Sequence, residues 1–247
     1  MNSKVQKTII LLIQSGLLFF IDLWSPLLSS ENKINSLSKR LENALNESNQ
    51  TKINSIIAVK EKSTLDNRLY KFLEKFPNAK WELSKPKLLE DGKYSLKLRV
   101  SGLKDYEGQN YFLEANKELK IKLQKDQIIY HEIISEYSLL KSTRKEIPIK
   151  VSIPDIVLTG TRYDIDIIFE KPLGDSIIAG GLASISEEEF ANGLNPDIKL
   201  SPMGGGGLFK TVRAPIHPGN QNWVAILAHP DGLITLTKRV RIVRNEE

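Results

Sequence analysis

The chain has 247 residues, 40% of them hydrophobic, with 35 Lys and Arg against 30 Asp and Glu for a net charge of +5. That apolar content supports packed cores and excludes a disordered chain, and the absence of cysteine excludes disulfides, thiolate metal sites and a thiol nucleophile. Basic and acidic residues are interleaved, as in "KRLEN" and "LKDYEG", and the one dense basic stretch, "TKRVRIVR", reads as solvated surface; nucleic-acid binding, which needs a clustered footprint, is not expected.

Residues 1–30 begin with "MNSKVQK" and continue into "TIILLIQSGLLFFIDLW". The uncharged run from Thr8 to Ile21 is shorter than a spanning helix needs and matches the apolar region of a signal peptide. No Ala-x-Ala-like cleavage site follows it. Read through to Leu28, the segment is long enough to span, with Trp24 at the interface and Pro26 at the helix end. A retained anchor carried by Ile9, Leu12, Leu17, Phe20 and Trp24 is therefore preferred, with a cleaved signal and a secreted product as the alternative. The basic start predicts that the body lies on the extracytoplasmic side of a lipid bilayer, in a periplasm or thylakoid lumen.

Residues 31–142 open with three apolar stripes at helical spacing. The first holds Ile34, Leu37, Leu41, Ala44 and Leu45. In the second, Thr51 is the candidate N-cap and Ile53, Ile56 and Ile57 point inward. The third presents Leu69, Phe72, Leu73 and Phe76, and Pro77 stops it. Strand patterns follow. "KWELSKPKLLEDGKYSLKLRVSG" predicts two strands around the turn at Asp91-Gly92. "YFLEANKELKIKLQ" and "QIIYHEIISEYSLL" predict two more, joined at Lys125-Asp126. Helices followed by an antiparallel meander predict an α+β arrangement.

Three leading helices, the "KFPNAKWEL" lead-in and four long strands resemble the NTF2-like (cystatin-like) group, in which a curved sheet wraps around helices. The whole layout is similar to membrane-anchored cyanobacterial proteins labelled NTF2-like. Members of the group include enzymes such as ketosteroid isomerase and scytalone dehydratase, and many that only bind partners. On that resemblance, strict alternation along the last strand puts His131 and Tyr137 on one face, where they would line a ligand pocket and supply a general acid or base. Glu132 and Glu136 fall on the other face, and no carboxylate is placed to act with the pair.

Residues 143–247 change character. Helical stripes vanish, Pro and Gly recur every few residues, and short alternating strands such as "RYDIDIIFEKP", "NWVAILAHPDG" and "LITLTKRVRIV" follow one another. This predicts an all-β sandwich of immunoglobulin or fibronectin-III type without the disulfide, with Trp223 in its core. Asp164 and Asp166 share a strand's solvent face and make no calcium cage. "MGGGGLFKT" lacks the Gly-Lys-Ser/Thr of a phosphate loop, and no helix follows it. His217 and His229 lack further ligands at metal-binding spacing. The long connection "EEEFANGLNPDIKLSPMGGGG" includes a short helix capped by Ser186. It offers Phe190, Leu194, Met203, Gly204, Gly205, Gly206 and Gly207 as a partner-binding loop.

No catalytic residue, metal or cofactor is expected. The sequence therefore reads as a non-enzymatic, membrane-anchored interaction or assembly protein acting on another membrane protein or complex, photosynthetic on the resemblance. The alternative is a small-molecule binder or enzyme built around His131 and Tyr137.

Overall fold

The computed structural model describes residues 34–58, 62–106, 108–171, 178–186, 189, 197–204 and 206–244. Helix α1 spans 34–46, and its predicted stripe, Ile34, Leu37, Leu41, Ala44 and Leu45, is buried throughout. Helix α2, Gln50–Ile56, starts one residue before the predicted cap. Asn49 takes that role, its side chain accepting from the Lys52 amide at 3.0 Å, because Asn is the stronger cap and lies at the right offset. Helix α3, Lys62–Lys75, ends ahead of Phe76 and Pro77.

Thirteen strands follow among the described residues. They are β1 (Lys80–Leu83), β2 (Lys87–Leu88), β3 (Tyr94–Tyr106), β4 (Gln109–Gln124), β5 (Gln127–Lys141), β6 (Ile149–Ser152) and β7 (Ile156–Leu158). Then come β8 (Arg162–Phe169), β9 (Ala179–Ile185), β10 (Ser201–Pro202), β11 (Gly207–Arg213), β12 (Gly219–His229) and β13 (Gly232–Val243). Turn chemistry explains the tight connections. Gly92 sits at φ 76°, and Lys125 and Asp126 at 48° and 60°, the left-handed pair that a two-residue hairpin loop requires. Pro86 splits the predicted first strand into β1 and β2, since proline donates nothing to a ladder.

Ten strands form one sheet in the order β1-β3-β4-β5-β13-β12-β9-β10, with β2 also on β3 and β7 parallel on β13. A second sheet has the order β11-β8-β6. The joint is β5 against β13, antiparallel from Lys141↔Ile234 to Tyr137↔Lys238. The two halves of the chain therefore share one sheet.

The expected fold class is corrected on this point. The described chain is mostly strand, and one large, mainly antiparallel sheet shared by both halves, with a three-stranded sheet packed on its second half, replaces an α+β NTF2-like domain followed by an Ig-like sandwich behind a hydrophobic helix. Alternation fixes which residues lie inside a strand, but it leaves open which other strand takes its edge. The predicted anchor, with Ile9, Leu12, Leu17, Phe20 and Trp24, lies outside the described residues. Among those described, no helix is long and apolar enough to cross a membrane. The described residues therefore lend the transmembrane and signal-anchor reading no support, and nothing in the structure supports a thylakoid or cyanobacterial setting.

The large sheet is covered on opposite faces in its two halves. In the first half, α1 and α2 lie against Leu96, Leu98, Ile121 and Ile128. In the second, β6, β8 and β11 close over β13 and β12 from the other side, burying Ile165, Ile167, Trp223, Leu227, Ile234 and Leu236. Beside this core, residues 197–203 cross close over β9. A Cβ on Gly181 would stand 2.5 Å from the Lys199 carbonyl oxygen. Gly181→Ala should therefore cost about 1–3 kcal/mol, toward the upper end because backbone must move. The urea midpoint measures it, with Gly219→Ala, whose Cβ meets nothing within 4 Å, as the control.

Candidate functional site

Opposite the helices, the face of β1, β3, β4 and β5 carries no covering layer among the described elements. Register sets its side chains in rows. Glu82, Arg99, Asn116 and Tyr137 form one row across the four strands, and Lys97, Glu118 and Ser135 form the next. An open groove of about 490 Å³ crosses the strands here, with Glu82, Ser84, Lys97, Arg99, Asn116 and Ser135 among its lining residues.

Its acids are already engaged. Glu82 pairs with Lys80 at 3.0 Å. Glu118 accepts from the Ser95 hydroxyl at 2.5 Å and lies 3.9 Å from Lys97. Arg99, by contrast, makes one bond among the described residues, from Nε to the Asn116 side-chain oxygen at 3.5 Å. That length is at the limit of a hydrogen bond. At one end of the sheet, Asp91 sits between Lys120 and Lys93, which hold its carboxyl down at about 2.

The predicted pair does not assemble. A register shift between Glu118 and Leu119 leaves Ile134 as an extra residue in β5. A bulge of this kind reverses the strand's alternation. His131 therefore pairs with Ile121 on the helix-covered face, and Tyr137 pairs with Asn116 on the open face. Burial pushes the Tyr137 hydroxyl above its ordinary value, and Glu114 adds to the shift. Two groups on opposite sides of a sheet cannot act on one substrate.

The predicted loop is dispersed too. Phe190, Leu194 and Gly205 lie outside the described residues. Met203 is buried, 8% exposed, with its sulfur over Gly180. Gly204 is exposed, while Gly206, at φ 72°, and Gly207 are half-buried where the chain enters β11. Ser186 and Glu189 bond reciprocally, amide to carboxylate at 2.8 Å and amide to hydroxyl at 3.1 Å, the capping-box geometry. Hydrogen bonding from the Ser186 amide, and then from its hydroxyl, holds the Glu189 carboxyl below its usual range. The open edge of β11 is guarded. Lys210 pairs with inward-facing Ile165, and its ammonium lies 5.5 Å from the Trp223 ring centroid. A charge turned inward at an edge opposes pairing with another strand.

Lys97 and Arg99 were missed, although "LKLRV" carries the signal: the alternation that buries Leu96, Leu98 and Val100 turns both cations to the other face. On the covered face a second charged group joins the halves. Glu136 accepts from Arg239 Nε at 3.1 Å and pairs with Lys117 at 2.7 Å, with Arg239 only 5% exposed. Burial raises the Glu136 pKa, but the two cations outweigh it and leave the carboxyl below its ordinary value. Nearby, Arg241 pairs with Glu132 at 2.7 Å. These contacts hold strands together.

Among the described residues, no group of three His, Asp or Glu could hold a metal ion. No curated protein matches the chain. Residues 144–243, from within the connection between β5 and β6 through β13, match the family model of a domain of unknown function, DUF8623.

Proposed function

We propose that the chain is a non-enzymatic interaction protein that docks a partner protein on the open face of β1, β3, β4 and β5. One observation carries the reading: this face is bare where the same face of the continuing sheet is closed by β6, β8 and β11, and a groove crosses it. An antiparallel sheet tolerates water on one side, so a bare face alone means little. The groove and the weakly engaged Arg99 guanidinium are what favour a partner. A chemical role for His131 with Tyr137 is disfavoured by their separation across the sheet.

Site-specific photo-cross-linking tests it. A photoreactive residue at Asn116 in the groove should capture one defined protein from the native cell, and the same residue at Thr211 on the outer side of β11 should not. Equal capture at both positions, or none at either, overturns the reading.

A further inference from the structure

Resting on that docking reading, we propose that the groove recognises an extended acidic segment of the partner, with Arg99 gripping one carboxylate through both terminal nitrogens. Glu82 and Glu118 are spent on Lys80, Ser95 and Lys97. The groove therefore offers donors without a full partner: the Arg99 terminal nitrogens, the Asn116 amide and the Ser135 hydroxyl, with the Lys97 ammonium held only loosely by Glu118 at 3.9 Å. A donor-rich site is satisfied by an acceptor-only group, and a guanidinium's planar fork matches a carboxylate.

Dimensions select the form of the ligand. The groove crosses four neighbouring strands, three inter-strand spacings or about 14 Å, the span of about four residues of extended chain. The whole chain's charge of +5 acts in the same direction, drawing an acidic partner toward it.

The full chain is titrated against end-blocked, fluorescently labelled tetraglutamate, tetraserine and tetralysine peptides, followed by anisotropy at low and at physiological ionic strength. Tetraglutamate should bind, and salt should weaken it. Arg99→Gln should reduce its affinity about tenfold or more, the scale of a lost charge-assisted hydrogen bond. Lys210→Gln, which removes a cation outside the groove, should leave affinity within about twofold. Both sites are exposed, and unchanged thermal midpoints establish that the variants are folded.

Binding of tetraserine as tight as that of tetraglutamate, or equal losses in Arg99→Gln and Lys210→Gln, overturns the proposal. So does free glutarate binding as tightly as the peptide, since the occupant is then a small carboxylate. Capture of a protein through Asn116 without any tetraglutamate binding overturns acid recognition alone. Tetraglutamate binding with no protein captured supports acid recognition and overturns docking.

Discussion

Arg239→Ala should lower the stability of the protein by about 3–5 kcal/mol, the scale of a buried ion pair broken from one side. The loss arises less from the missing attraction than from what remains. Glu136 keeps its charge in a place where little water reaches it, with Lys117 alone to balance it. Replacing both partners, in Arg239→Met with Glu136→Leu, should recover most of the deficit, because removing both charges also removes the desolvation cost. Urea unfolding measures all three proteins. A single-variant loss below about 1 kcal/mol would mean that the pair is solvated like a surface bridge. Acid provides a second reading. The folded Glu136 carboxyl lies below its ordinary value of 4.5. Its contribution is complete above that value and drains away as pH falls through the lower folded one. Between neutral pH and pH about 3, wild type should therefore lose stability more steeply than Glu136→Gln.

Trp223→Ala should cost a similar amount, about 3–5 kcal/mol, through a cavity in the core between the two sheets. Trp223 is 3% exposed. Its Nε1–H donates to the Tyr163 hydroxyl at 2.8 Å, and that hydroxyl donates to Gln221 at 2.7 Å. The indole thus ties β12 to β8 across the layer boundary. Trp223→Phe keeps much of the volume and drops the donor, so it should lose about 1–3 kcal/mol. Thermal or urea unfolding that ranks phenylalanine at or below alanine would show that the hydrogen-bond chain matters more than the packing.

How much of this was legible beforehand depends on the range of the interaction. The α1 stripe, the turns at Asp91-Gly92 and Lys125-Asp126, the Ser186 cap and the core position of Trp223 are local patterns, and each is visible in a few consecutive residues. The bulge at Ile134 is not, because "QIIYHEIISEYSLL" holds three apolar doublets, Ile128-Ile129, Ile133-Ile134 and Leu139-Leu140, and only the β4 register reveals where an extra residue sits. That one insertion separates His131 from Tyr137. The fate of "TKRVRIVR" was equally hidden. With Val240 and Ile242 turned inward, Arg239 and Arg241 point outward, where water is the simplest expectation. The structure instead sets Glu136 and Glu132, roughly a hundred positions earlier in the chain, against them. Pairing of β5 with β13 has the same origin. A strand's sequence specifies its faces well and its neighbours poorly.

The seam between β5 and β13 gives the boundary of the matched family segment a physical meaning. A fragment starting at residue 144 leaves β5 behind, stripping Leu139 from its packing against Leu236 and baring the backbone of β13 from Ile234 to Lys238. Such a piece carries a raw, sticky flank, and a protein built from that segment alone must seal it with another strand, another copy or a different lid. Here the first half is the lid. The two halves should accordingly melt as one body, and a cut in the connection between them yields a nicked whole instead of two independent parts.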